Sequence, residues 1–299
     1  MSSNAPISLN KFCTAQTAID ILREQALRWN APHTFDDPFE LSAQSKLPFT
    51  SNDLVDAAVL EACAMIFSRE SPRGTGSFVN AIRRWRSEER FHSQEEAEEV
   101  LKGLLPTMVN YHEEVIREVI ADWRKFASAL RICCFVYKSN SMPAWQIYGD
   151  HHRGVVLRFK CGDDSALTNP REMDYPNKRP EITTVKDQIG VMLAGSKHRP
   201  QDHFFEKFLT KAAVDKPERE WRCFREVGGE DLMADYLSVP FRDDELTGVF
   251  YGLQTALEDR QAIFDLVKED YSKSKVYQAV ALPGQYEIDY VRVTAKPES

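Results

Sequence analysis

The chain has 299 residues, 42% of them hydrophobic, and carries 38 basic against 46 acidic side chains for a formal net charge of −8. That length can bury a sizeable core without disulfide or metal staples, and the overall field opposes nonspecific attraction to a phosphate backbone, so nonspecific nucleic-acid binding is not expected. Six cysteines are spread along the chain with no CxxC spacing, which argues against a structural zinc site and for reduced thiols. Residues 1–10 hold no charged and then apolar leader, and no run approaches the roughly 18 apolar residues of a membrane span, so a cytoplasmic protein with no membrane partner is expected.

In chain order, Ile7-Ser8-Leu9-Asn10-Lys11-Phe12 alternates as a short strand, and Thr14 can cap a helix whose apolar face holds Ala18, Ile19 and Leu22. Residues 26–29 form a second strand. Two prolines and two adjacent aspartates make residues 30–41 a loop, in which Phe35 and Phe39 require burial. A helix capped by Ser51 or Asn52 runs to residue 67, and residues 78–128 are helical almost throughout, with a capping-box start at Ser93. Residues 50–128 therefore read as a helical insertion or subdomain within a single domain spanning residues 1–299.

The pattern changes at Arg131. Ile132-Cys133-Cys134-Phe135-Val136-Tyr137 predicts a buried strand, followed by a short helix over 144–150, a turn at His151-His152-Arg153 and a strand over 154–159. Helices are predicted around Val185–Leu193, over 203–211, 243–251 and 255–268. Strands are predicted at 218–222, 237–240, 276–280 and 286–291. The fold class expected is α+β, with one or more mixed, mostly antiparallel sheets and a helical insertion.

Two local motifs fall short of a phosphate cradle and of a metal site. Arg73-Gly74-Thr75-Gly76-Ser77 lacks the glycine spacing and the following Lys-Ser/Thr helix of a phosphate cradle. Adjacent His151 and His152 point in different directions on a helix and have no third ligand at a recognised spacing, so no metal is expected.

The stretch with chemical content is Lys216-Pro217-Glu218-Arg219-Glu220-Trp221-Arg222. As a strand it would project Glu218, Glu220 and Arg222 from one face. Neighbouring carboxylates repel, and such a pair needs a cation, a metal or a substrate hydroxyl to hold it. The same alternation also suits an edge strand with a solvated charged face.

Four separated segments resemble, in order and spacing, the bacterial family named for domain of unknown function 2971. They are Phe35-Asp36-Asp37-Pro38-Phe39-Glu40; Met142-Pro143-Ala144-Trp145-Gln146-Ile147-Tyr148 with His152-Arg153-Gly154; Asp174-Tyr175-Pro176; and Lys211 followed by Glu218-Arg219-Glu220-Trp221-Arg222. The resemblance covers about residues 7–290. The chain departs from the family's usual pattern at Asp36 (usually Asn), Phe12-Cys13 (Tyr-Arg), Val136 (Ser) and Asp215 (Trp).

The order is also similar to that of ADP-ribosyltransferases: a basic or polar residue on a first strand, a Ser or Tyr element after a middle strand, and a late Glu-x-Glu strand. The resemblance implies an ADP-ribosyltransferase-like core that uses NAD as substrate. Glu220 would then be the catalytic carboxylate, and Glu218 would orient or activate the acceptor. Lys11, Ser139, Ser141, Trp145, Tyr148, His152, Arg153 and Arg222 would form the nucleotide-binding set, with Trp145 or Tyr148 stacking on nicotinamide and Lys11, Arg153 or Arg222 holding the diphosphate. Asp37 and Glu40 would orient Arg153 or Arg222, with Tyr175 and Lys211 as further motif residues. The implied partners are a small-molecule nucleotide and a macromolecular acceptor, and the implied biological setting is a bacterial toxin or phage-defence effector.

Two other readings stand beside it. A metal-dependent nuclease would use Asp37, Glu218 and Glu220 as ligands with Lys211 or Lys216 stabilising charge. A noncatalytic binding module would use the carboxylates and Arg222 as an ion-pair network, with Trp145 and Tyr148 as core packing.

Overall fold

The structure is a computed structural model that describes residues 6–37, 47–197 and 199–298. The chain divides into two compact units. One takes residues up to Asp36, Ser128–Arg179 and Leu209 onward; the other takes Asp37–Ala127 and Pro180–Phe208. The helical unit thus recruits a second segment, 180–208, beyond the 50–128 stretch that periodicity marked out.

The strands are β1 (Ser8–Cys13), β2 (Ala26–Asn30), β3 (Leu130–Val136), β4 (Val155–Lys160), β5 (Arg171–Glu172), β6 (Glu220–Glu226), β7 (Tyr236–Pro240), β8 (Leu246–Tyr251), β9 (Lys275–Ala281) and β10 (Ile288–Val293). The helices are α1 (Ala15–Glu24), α2 (Ser51–Phe67), α3 (Ser77–Ser87), α4 (Gln94–Ala129), α5 (Met142–Ile147), α6 (Val185–Ala194), α7 (Phe204–Phe208) and α8 (Leu257–Asp270). The fold is α+β. All ten strands belong to one sheet, and every pairing is antiparallel except β8 with β9.

The sheet runs β10-β9-β8-β4-β1-β3-β2-β7, with β6 paired to β3 and β5 to β6. Strand β6 covers β3 along its full length, from Leu130↔Glu226 to Val136↔Glu220. Strands β1 and β2 therefore share the other edge of β3, meeting it near opposite ends at Asn10↔Val136 and Asn30↔Ile132. Asn10 secures its end by donating to the carbonyls of Val136 and Tyr137.

Strand alternation separates two faces. Leu9, Cys13, Cys133 and Phe135 share a core with Ile19 and Leu22 of α1 and Ile263, Phe264 and Val267 of α8. Phe12, Val136, Val156 and Phe250 point the other way and pack with Trp145 of α5. In the helical unit, Leu54, Ala58 and Ala62 of α2, Leu101 and Leu105 of α4 and Ile189 and Leu193 of α6 form a separate core.

One predicted element is wrong in kind. Residues 243–251 are not a helix: a 3-10 turn over Asp243–Glu245 runs into β8, which lies between β4 and β9. Leu246-Thr247-Gly248-Val249-Phe250-Tyr251 is rich in β-branched and aromatic residues, and all but Thr247 are buried, so tertiary pairing decides it. The cap of α2 is Thr50, whose hydroxyl accepts from Asp53 N while the Asp53 carboxylate accepts from Thr50 N.

Candidate functional site

The predicted Glu-x-Glu strand is only half a strand. Glu218 ends a 3-10 turn over Ala213–Glu218, Arg219 has a left-handed backbone (φ 48°), and Glu220 opens β6. Pro217 withholds a ladder donor just upstream, so β6 starts three residues later. The register of Glu220 with Val136 and of Arg222 with Cys134 puts both side chains on the α5 face of the sheet.

Lys211 reaches the same point from another direction. Asp174 and Thr210 form a bridge, with Asp174 N donating to Leu209 O at 2.6 Å and Lys211 N to Asp174 O at 2.9 Å. From there Lys211 Nζ lies 2.6 Å from Glu218 Oε2, 3.4 Å from Glu220 Oε2 and 3.2 Å from the Tyr148 hydroxyl. Tyr148, the C-cap of α5, donates to Glu218 Oε2 at 2.8 Å. Arg222 grips Glu220 with two N–H groups, Nε at 2.7 Å and Nη2 at 3.1 Å, and its guanidinium lies over the Phe35 ring. The Tyr175 hydroxyl accepts from Glu220 N at 2.8 Å, and Cys134 pairs in register with Arg222 on the same face.

Two carboxylates and two cations thus balance in a buried cluster; the side chains of Glu218, Glu220 and Arg222 are 8%, 4% and 1% exposed. The carboxylate pair is held by a cation, Lys211. Burial works against the Lys211 charge, but Glu220 and Glu218 outweigh it and hold its pKa above the ordinary lysine value. Burial pushes Arg222 down to about 9, still protonated at neutral pH, and raises the Tyr148 phenol. Tyr175 is pushed up to about 12, mainly by burial. Both hydroxyls are therefore neutral donors and acceptors rather than bases near pH 7.

Beside the cluster lies a cleft of about 580 Å³, lined by Glu172, Met173, Asp174, Tyr175, Lys216 and Arg219. Tyr175 belongs to both: its ring lines the cleft and its oxygen binds the Glu220 backbone. Tyr148, Tyr175, Lys211, Glu218, Glu220 and Arg222, all candidates from the sequence, are brought together.

Other sequence candidates are used elsewhere. Lys11 alternates with Leu9 and Cys13, on the face opposite Glu220, and its ammonium donates to Cys134 O at 3.1 Å on the edge of β3 that β1 and β2 share. Trp145 is fully buried; its Nε1 donates to Ser139 O at 2.9 Å, and Phe12 and His152 pack against its ring. That packing occupies the ring proposed for nicotinamide. Ser141 caps α5 through Ala144 N, and the Ser139 hydroxyl accepts from Arg158 at 3.2 Å. His152 ends a run of three left-handed residues, Asp150, His151 and His152, and Arg153 pairs with Asp150 at 3.0 Å. Asp37 belongs to the helical unit. Glu40 lies outside the described residues.

Arg219, Glu172 and Cys134 were not candidates from sequence. Neither Cys134 nor the cleft walls left a signal in the sequence. Among the described residues no group of three or more His, Cys, Asp or Glu is placed to hold a metal ion, and no helix is long and apolar enough to cross a membrane. Comparison of the chain with family models, curated proteins and solved structures finds no match in any of the three.

Proposed function

We propose that the sheet unit is an ADP-ribosyltransferase-like enzyme that breaks the nicotinamide–ribose bond of NAD and passes ADP-ribose to an acceptor or to water, in a toxin or phage-defence role. The observation that carries this reading is the adjacency of three strands. The first strand β1, the middle strand β3 and the late Glu strand β6 are neighbours in the sheet, and Tyr148, from the helix after β3, bonds Glu218, from the turn before β6.

The chemistry required is modest. As the C1′–N bond breaks, its electron pair leaves with nicotinamide, which becomes neutral, and positive charge develops on the ribose. Glu220 stabilises that charge by accepting from a ribose hydroxyl; burial raises its pKa, Lys211 opposes that shift, and Arg222 aims the carboxylate. Each carboxylate oxygen has two lone pairs, so the bonds from Arg222 and Lys211 leave room for a substrate hydroxyl. Glu218, fixed by Tyr148 and Lys211, takes the proton of the acceptor as it attacks C1′.

A second reading has its own support. The four charges already balance within the cluster, as a noncatalytic ion-pair network requires. Nicotinamide release by the purified chain, with Glu220→Gln as the paired protein and EDTA as a second arm, separates the readings. Release that survives EDTA and is lost in a folded Glu220→Gln protein supports the enzyme. No turnover in either protein, with Glu220→Gln merely less stable, supports the network.

A further inference from the structure

The cleft beside the cluster has an unusual charge inventory. Lys216 and Arg219 come from the 3-10 turn and its cap, and Glu172 and Asp174 come from β5 and the residue pair after it. Arg219 is flanked in sequence by two glutamates yet pairs with neither. Lys211 and Arg222 take both carboxylates, and the left-handed backbone at Arg219 sends its own side chain to the cleft wall. Arg219 is the left-handed C-cap of that turn (φ 48°). Glu172, Asp174, Lys216 and Arg219 are all exposed, and among the described residues their side chains make no hydrogen bond or ion pair.

A ligand that suits this cleft brings negative charge to Lys216 and Arg219 and hydroxyl donors to Glu172 and Asp174, with a flat part against Tyr175. The volume, about 580 Å³, is that of a small-molecule site rather than of a macromolecular face. We propose that the cleft binds a nucleoside diphosphate. Lys216 and Arg219 contact the phosphates, Glu172 and Asp174 accept from the ribose hydroxyls, and the base lies along Tyr175. This deepens the NAD reading and rests on it in one respect: the diphosphate would be the ADP half of the substrate, joined through Tyr175 to the carboxylate cluster.

The test is calorimetric titration of the full chain with ADP, alongside adenosine, inorganic phosphate and a short arginine-containing peptide. ADP is expected to bind, and adenosine and phosphate to bind at least ten-fold more weakly. Lys216→Gln with Arg219→Gln should weaken ADP at least ten-fold while leaving the thermal midpoint in place, because neither side chain has a partner to lose. Glu172→Gln, a milder change on the opposite wall, should weaken ADP with little effect on phosphate. Absence of ADP binding, equal binding by the double variant, or preference for the peptide would overturn the proposal. The two readings fail separately. ADP binding without nicotinamide release keeps the cleft and removes NAD cleavage. NAD cleavage with a KM unchanged in the double variant removes the cleft and keeps the enzyme.

Discussion

Glu218 and Glu220 leave the backbone on either side of a left-handed Arg219 and meet again on one ammonium, Lys211 Nζ, at 2.6 Å and 3.4 Å. An extended strand would also bring alternate residues to one face, but it would leave Arg219 opposite them in the sheet. The kink instead frees Arg219 for the cleft and lets Glu218 sit at the end of a turn, where Tyr148 can reach it.

Removing the ammonium should therefore be costly. Lys211→Met leaves two buried carboxylates facing each other without the ammonium between them, and the loss expected is about 3–5 kcal/mol. Adding Glu218→Gln to Lys211→Met should recover part of it, since one of the two stranded charges is gone. Urea denaturation of the three variants measures this. A Lys211→Met loss below about 1 kcal/mol would show that the cluster is wetter and weaker than its burial indicates.

The same pair fixes a pH dependence at the alkaline end. The folded pKa of Lys211 is raised above its ordinary value of 10.5. Its contribution to stability is then fully present below that value and is lost as pH rises through the folded pKa. Wild type should lose denaturation midpoint above pH 10.5 more steeply than Lys211→Met.

Much of this arrangement was legible in the sequence. The need of Glu218 and Glu220 for a cation and an α+β fold with a mostly antiparallel sheet follow from residue type and spacing, whereas Tyr148, Tyr175 and Lys211 became candidates only through the family resemblance. What failed was local and had identifiable causes. Pro217 and the left-handed Arg219 break the strand that alternation implied. Lys11 and Trp145 are residue types that suit a nucleotide, but alternation in β1 and the core between α5 and the sheet claim them first. The cleft is made by a two-residue strand, β5, too short to leave a period.

Arg131 offers a prediction independent of function. It is fully buried with no carboxylate partner among the described residues, and its guanidinium donates instead to four backbone carbonyls, those of Ser128, Leu130, Asp231 and Ala234. The last two belong to the connection between β6 and β7, so Arg131 ties that connection to β3. Arg131→Met keeps much of the apolar stem but strands these acceptors, at an expected cost of about 2–4 kcal/mol. Hydrogen exchange should show the loss concentrated in residues 229–240. Uniform loss across the sheet would mean that Arg131 supports the fold at large rather than this connection.

The left-handed run Asp150-His151-His152 predicts a steric outcome at a distant point in sequence. Gly252 follows β8, and its N–H bonds the Thr255 hydroxyl at 2.7 Å and Gly154 O at 3.2 Å, which draws its backbone against the run. A Cβ at Gly252 would stand 2.1 Å from His152 O and 2.9 Å from the buried Trp145 ring. Neither neighbour can yield easily: the carbonyl is backbone, and the ring is packed between Phe12 and His152. Gly252→Ala should therefore cost about 1–3 kcal/mol and change tryptophan fluorescence, because Trp145 must shift or the turn must open. Gly228→Ala is the matched control: nothing stands within 4 Å of its added methyl, and a change within about 0.5 kcal/mol is expected. Equal effects at the two glycines would rule out the contact with His152 as the cause.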